Sequence, residues 1–369
     1  MPLWTYGPQP VAILGCSLAH AVPYRGSRTE PQHRSLFTSD CADPTSIVLA
    51  LSRTHPHIPV TPCLWPPLGT FDNRRGIFVT SRASLTAEYT ALFRALESSR
   101  PSRSRLFFDP DAALFLIGAR KWLYRMAAFP FGRHLAEWLL DRSSPGARAA
   151  GIARTKWIDD EASAALKTAT QLVLLGAGFD MRAWRLSPAK QACIFELDHP
   201  QTSLAKQAIL KSALGPLPER IRCIGVDFNR QSIMKALLDV GFDVSRPACW
   251  IWEGVTNYLT AEVVDSSLRQ IAETAVEGSI LLLTYIDRAV LATPDRYVGA
   301  LRLVSRLRSY GEPWTFGLDP GEVRSYLAAR GFELLKDVNV AEVWQRAGRS
   351  GSGTHGYEFY RLASARVRE

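Results

Sequence analysis

Five residues, Leu174-Leu175-Gly176-Ala177-Gly178, set an apolar run directly against two glycines one residue apart. That order suits a chain that leaves a buried strand through a tight turn at Gly176 and offers bare backbone to a ligand at Gly178. Alone the signal is weak, because an ordinary strand-to-helix turn reads the same way. Two carboxylates strengthen it. Asp198, twenty residues past Gly178, closes the next apolar run, where a carboxylate can accept both hydroxyls of a ribose. Asp227 follows the third run and can take the exocyclic amine of an adenine, with Phe228 beside the ring. Glycine, acid and acid at three successive strand ends fit a nucleoside lying across the carboxyl edge of a sheet.

The same turn argues against a dinucleotide. A pyrophosphate needs a third glycine and a helix N-terminus free of negative charge. Here the turn continues Phe179-Asp180-Met181-Arg182, with no third glycine and an acid where a phosphate would lie. A sulfonium nucleoside such as S-adenosylmethionine carries no phosphate and tolerates that acid.

Such a site needs a sheet, and the pattern from Gln171 onward predicts one. Apolar runs at 172–175, 192–197, 221–226, 248–252 and 279–285 alternate with amphipathic stretches at 201–214, 231–240 and 261–275. Continuous apolar strands alternating with helices imply a parallel sheet covered on both faces. Beyond it come a helix at 320–330, a strand at 332–338, a short helix and a last strand near 357–362. A basic, aromatic segment, 286–318, interrupts the alternation and reads as a lid. Residues 81–170 show helical spacing at 85–96, 112–119, 122–140 and 152–168 and no strand, which predicts an N-terminal helical cap. The expected fold is α/β: a Rossmann-like sheet, mostly parallel with an antiparallel last strand, spanning 171–369. Residues 1–80 hold eleven of the 23 prolines and no sustained period, so they read as an irregular, poorly ordered extension.

Composition narrows the partners. The net charge is +9, from 44 Lys and Arg against 35 Asp and Glu, yet the basic residues are scattered and never run longer than Arg74-Arg75. A nucleic-acid groove concentrates its charge on one face, so no nucleic acid is expected. None of the six cysteines (Cys16, Cys41, Cys63, Cys193, Cys223, Cys249) forms a C-x-x-C pair, which reads as buried free thiols in a reducing compartment and no metal site. No apolar run reaches the ~18 residues of a bilayer span. The apolar stretch 11–22 lacks the basic segment that precedes a signal-peptide core. A cytoplasmic protein with no membrane partner is the expectation, and its oligomeric state is left open.

Several segments together carry a more specific likeness: Ser84-Leu-Thr-Ala87, Arg94-Ala95, Asp109-Pro110, Arg154-Thr155, Leu175-Gly-Ala-Gly-Phe-Asp-Met-Arg182-Ala-Trp-Arg185-Leu186, Glu196-Leu-Asp198-His-Pro200, Val226-Asp227-Phe228, Glu253-Gly-Val-Thr-Asn-Tyr-Leu259 and Gly311-Glu-Pro-Trp-Thr-Phe-Gly317. In this order, over about 81–345, the chain resembles the leucine carboxyl methyltransferase-like family of class I S-adenosylmethionine-dependent methyltransferases, which includes O-methyltransferases of secondary metabolism. The resemblance implies S-adenosylmethionine as cofactor. It implies Arg154 on the methionyl carboxylate, the backbone at Gly176 and Gly178 along the methionine, and Asp198 on the ribose. It further implies Asp227 and Phe228 on the adenine, and Glu253 on the ammonium, so that Arg154 and Glu253 bracket the methionine from opposite ends. A surface salt bridge is the plain alternative for Arg154. Met181 stands where the family commonly has Thr, which touches side-chain contacts at the turn and not the fold.

Methyl transfer from a sulfonium needs orientation and dryness more than a base. The candidate bases are weak: His199 can equally cap the following helix, His134 sits in a helical stretch, and Tyr258, near the expected methyl position, can orient an acceptor or simply pack. No catalytic base is assigned. Tyr297, Tyr310, Trp314 and Phe316 offer aromatic surface for a hydrophobic or aromatic small-molecule acceptor, or else pack the lid. An O-methyltransferase of a small metabolite is the leading reading. A carboxyl methyltransferase acting on a protein's C-terminal leucine, and a non-catalytic S-adenosylmethionine-fold binding protein, are the alternatives.

Overall fold

A computed structural model describes residues 71–72, 77–78 and 85–368. Most of the segment read as an irregular extension, with Cys16, Cys41 and Cys63, lies outside the described residues. Within it, β1 (Phe71–Asp72) and β2 (Ile77–Phe78) pair antiparallel.

The helical layer comprises α1 (Leu85–Ser98), α2 (Gly118–Met126), α3 (Pro130–Ser143) and α4 (Ala147–Ala165), with a 3₁₀ turn at Pro110–Phe115. The single helix expected over 122–140 is two. Phe129 is extended and Pro130 opens α3 at its first position, where the missing N–H costs nothing and the fixed φ starts a new helix. α1 and α4 bury their small and apolar residues, Ala91, Leu92, Ala95, Ile152, Ala153 and Ile158 among them, in one core with the sheet residues Leu172, Leu174 and Ile251.

The sheet follows: β3 (Gln171–Leu175), α5 (Arg182–Arg185), β4 (Cys193–Asp198), α6 (Pro200–Leu214), β5 (Ile221–Gly225), α7 (Ile233–Leu238), β6 (Ala248–Trp252), α8 (Ala261–Thr274), β7 (Ile280–Ile286), α9 (Ala289–Ala292), α10 (Ala300–Ser309), α11 (Val323–Ala328), β8 (Phe332–Asn339), α12 (Val340–Arg346) and β9 (Tyr360–Val367). The strand order is β5-β4-β3-β6-β7-β9-β8. The first five are mutually parallel, and β9 runs antiparallel to both β7 and β8. This is the Rossmann-like sheet the sequence led us to expect. β3 and β6 are buried along their whole length, as strands covered on both faces must be.

The last strand starts three residues later than expected and ends five residues later. Its register is fixed by two partners, with Leu282 opposite Ser364 and Val338 opposite Leu362, whereas local patterning alone pointed to 357–362. Cys193, read as a buried thiol, is exposed at the start of β4, while Cys249 is buried in β6.

Candidate active site

The turn after β3 is built by its glycines. Gly176 has φ +71°, and its N–H donates to the Leu197 carbonyl of the neighbouring strand at 2.8 Å. A Cβ at Gly176 would meet Val255 Cγ2 at 2.2 Å, so the position excludes any side chain twice over. Gly178, at φ +45°, has room for a Cβ, which would make only ordinary contacts with the Ala87 Cβ at 3.6 Å and the Gly176 carbonyl at 3.9 Å. The two glycines therefore predict different outcomes. Gly176→Ala should cost the left-handed penalty of about 1–2 kcal/mol plus the clash, read as a clear fall in melting temperature. Gly178→Ala should cost less stability and show itself in cofactor affinity. Equal melting temperatures for the two variants would contradict this.

Asp198 at the end of β4 is oriented by backbone alone. Its Oδ2 accepts from the Gly178 N–H and its Oδ1 from the His199 N–H at 2.6 Å, which leaves a lone pair on each oxygen. Burial pushes its carboxyl above the ordinary value, and these two N–H donors offset that only in part. His199 caps α6, with Nδ1 accepting from the Gln201 N–H at 3.4 Å, so the cap reading of that residue holds. His134 lies in α3, exposed. Asp227 stands two residues past β5. It accepts from the Asn229 N–H at 3.0 Å and keeps part of its carboxylate exposed, beside a half-buried Phe228.

Arg154 from α4 and Glu253 after β6 come together, 99 residues apart in sequence, in a contact of 2.6 Å between Arg154 Nε and Glu253 Oε1. Both side chains are largely buried, so this is no surface salt bridge. Both side chains also line one cavity with Gly176 and Gly178. Arg154 Nη1 also donates to the Tyr360 hydroxyl of β9 at 2.9 Å, which leaves three of its five donors.

Glu253 Oε2 accepts from a second guanidinium, Arg182 Nη1, at 2.5 Å. Arg182 is almost fully buried and also donates to Asp180 Oδ2 at 2.6 Å and Asp159 Oδ1 at 2.7 Å. Asp159 pairs with Arg185, Arg185 lies 3.3 Å from Asp109, and Asp109 takes Arg94, whose Nη2 holds the Phe179 carbonyl at 2.6 Å. Four arginines (Arg94, Arg154, Arg182, Arg185) thus alternate with four carboxylates (Asp109, Asp159, Asp180, Glu253) beneath the glycine turn. Burial raises the carboxyls of Asp180 and Glu253, but Arg182 in both, joined by Arg154 at Glu253, outweighs it and holds them below their ordinary values. Asp180, read as the acid in a phosphate's place, is instead turned onto Arg182. Met181, where a threonine was expected, caps α5 with no side-chain hydrogen bond, and its side chain is fully buried. Sequence reasoning missed this network and Tyr360. Only Arg182 and Arg185 adjoin the turn in sequence, and neither they nor Tyr360 signalled the network.

Arg154, Gly176, Gly178, Asp198, Asp227, Phe228, Glu253 and Tyr258 all line one cavity of about 560 Å³ at the carboxyl edge of the sheet. α1, the end of α3 and α10 also line it, with Tyr89, Phe93, Leu140, Leu303, Leu307 and Tyr310. Of the four aromatics considered for the acceptor, Tyr310 and Trp314 line this cavity. Phe316 is buried in the core against Tyr326, and Tyr297 packs edge-on against Phe359 with its hydroxyl on Asp287. Burial pushes the Tyr258 phenol up to about 12.

The chain is similar in sequence to known methyltransferases. Residues 87–272 match the family model for leucine carboxyl methyltransferase. A protein of Mycobacterium avium (strain 104), provisionally named an S-adenosyl-L-methionine-dependent methyltransferase, is 29% identical over 292 residues, 74% of this chain and 90% of its own. One of Parafrankia sp. (strain EAN1pec) with the same provisional description is 33% identical over 238 residues, 63% of this chain and 72% of its own. Among solved structures, a DUF574 family protein from Streptomyces avermitilis superposes with a TM-score of 0.48 at 18% identity, covering 75% of this chain and 97% of that one. By the match of the family model over half its length, the chain belongs to the leucine carboxyl methyltransferase family.

Proposed function

We propose that this methyltransferase transfers the methyl group to an oxygen of a small, hydrophobic or aromatic metabolite. The observation that carries the reading is the cavity itself. It joins the charged and polar groups at the glycine turn to apolar side chains, Tyr89, Phe93, Leu140, Leu303 and Leu307, that a nucleoside does not call for.

The donor set fits the cofactor. Asp198 keeps two lone pairs for a vicinal diol, Asp227 and Phe228 suit the adenine, and the spare donors of Arg154 suit a carboxylate in the planar, forked manner of a guanidinium. Glu253 is the countercharge for the ammonium. Arg154 and Glu253 both line the cavity beside Gly176 and Gly178, where each can answer one charged end of the methionine. S-adenosylmethionine supplies a methyl group already activated on its sulfonium. The chain's part is to orient the acceptor and keep water out.

Tyr258 does not serve as a base in this reading. A phenol held protonated to about pH 12 can donate a hydrogen bond to the acceptor oxygen and take nothing from it near neutrality. Tyr258→Phe should therefore lower kcat/KM by about fivefold, one ordinary hydrogen bond, and leave the shape of the pH profile unchanged. A lost basic limb in the profile would make Tyr258 a titrating catalyst. The acceptor class is tested by mass spectrometry of the products formed from S-adenosylmethionine with phenolic metabolites and with a peptide ending in leucine. Methylated peptide alone would overturn the metabolite reading, and methylation of neither would favour a binding protein.

A further inference from the structure

The corner between α2 and α3 presents aromatic side chains to solvent to a degree matched nowhere else among the described residues. Trp122 is 60% exposed, Phe129 72% and Phe131 80%, and these three with Arg125 and Met126 surround one shallow depression. Trp138 and Leu139 continue the exposed strip along α3. α2 buries none of its nine residues. Leaving such rings in water forfeits the burial that large aromatics normally contribute, so the patch calls for an apolar medium or partner.

The charges around it select which. α2 carries Arg120, Lys121 and Arg125 and no acid. Arg120 is engaged with Glu88, whereas Lys121 and Arg125 have no ion pair among the described residues. On α3, Arg142 lies over the Trp138 ring at 5.9 Å, and the two acids of that helix are taken, Glu137 by Arg100 and Asp141 by Arg148. A second copy of the chain would bring this basic rim against itself, with no free carboxylate to answer it. Aromatic rings ringed by unpaired Lys and Arg instead match the boundary of an anionic bilayer: rings enter the level of the headgroups and the cations meet the phosphates.

We propose that the α2–α3 corner docks this enzyme onto anionic lipid surfaces, with Trp122, Phe129 and Phe131 inserted and Lys121 and Arg125 on the headgroups. No described helix is long and apolar enough to cross a membrane, and none is needed for attachment of this kind. The expectation of no membrane partner rested on the lack of a spanning run and of a signal-peptide core and on scattered basic residues, and did not weigh the exposed rings of this corner. This inference is independent of which acceptor is methylated. It gives α3 two ends with different tasks, since Leu140 and Ser143 toward its other end line the active-site cavity, about 14–18 Å along the helix from Phe131.

Flotation of the full chain with vesicles tests it. Binding is expected to vesicles of phosphatidylcholine mixed with phosphatidylglycerol, to be weak to phosphatidylcholine alone, and to fall as salt is raised. Phe129→Ser combined with Phe131→Ser should lower partitioning at least tenfold. Lys121→Gln and Arg125→Gln should each lower it about fivefold. Melting temperature and cofactor affinity should not change, because Arg125, Phe129 and Phe131 are exposed, Lys121 is half-buried with no ion pair among the described residues, and all four lie outside the cavity. Failure of the full chain to float with anionic vesicles, or equal flotation of the variants, would overturn the proposal. So would light scattering that shows a dimer which Phe129→Ser with Phe131→Ser turns into monomer, because the patch would then belong to a second copy.

Discussion

Arg182→Met is expected to destabilise this protein by about 3–5 kcal/mol, the usual cost of leaving buried charge without its partner. Arg182 is 2% exposed and serves three carboxylates, Asp159, Asp180 and Glu253, from the start of α5. Methionine fills similar space but answers none of them. Chemical denaturation would measure the loss. A value under about 1 kcal/mol, as for an exposed ion pair, would show that the arginines on either side carry the network without it. The same network sets the acid response of the wild type. Asp180 and Glu253 are held below their ordinary values, so their stabilisation is fully present above the unfolded carboxylate range near ~4 and disappears as pH falls through the depressed folded-state values. Arg182→Met should flatten that part of the stability–pH curve as well as lower it.

Asp198→Ala should weaken S-adenosylmethionine binding by about 1.5–3 kcal/mol, or roughly 10- to 150-fold, the range for hydrogen bonds to a charged group. Calorimetry with the melting temperature as control separates this from unfolding. pH supplies a second reading. Burial raises the Asp198 carboxyl, so wild-type affinity should begin to fall at a higher pH than an ordinary carboxylate would dictate as the solution is acidified. Asp198→Asn cannot titrate and should lose that limb. Affinity unchanged in Asp198→Ala, with the fold intact, would remove Asp198 from the ribose.

The parts legible in the sequence are those a single strand or turn specifies. Buried parallel strands read as unbroken apolar runs, so β3, β4 and β6 could be placed within a residue, and with them the strand ends that carry Gly176, Asp198 and Glu253. Pro130 announces the break between α2 and α3, yet the apolar spacing on both sides of it ran on and masked the break. The arginine–carboxylate network was not legible because it is a property of packing. Arg94 finds the Phe179 carbonyl 85 residues away, and Arg154 finds Tyr360 206 residues away. Nothing at Glu253 records that two guanidinium groups, not one, would reach it. Tyr297 and Phe316 show the same blindness from the other side: aromatic composition could not tell cavity wall from core.

The position of β9 has a consequence for how the enzyme comes into being. Residues 360–367 form the strand between β7 and β8, and the Tyr360 hydroxyl at its start is one of the partners of Arg154. Until they are synthesised, β7 and β8 face each other across a missing strand, with unpaired edges exposed. A nascent chain can assemble β3 to β7 as they emerge, but the sheet closes and Arg154 acquires its last contact only when residues 360–367 have been made. During translation the glycine turn is therefore in place well before the pocket it serves is complete, and that interval is when the chain most needs protection from edge-to-edge association.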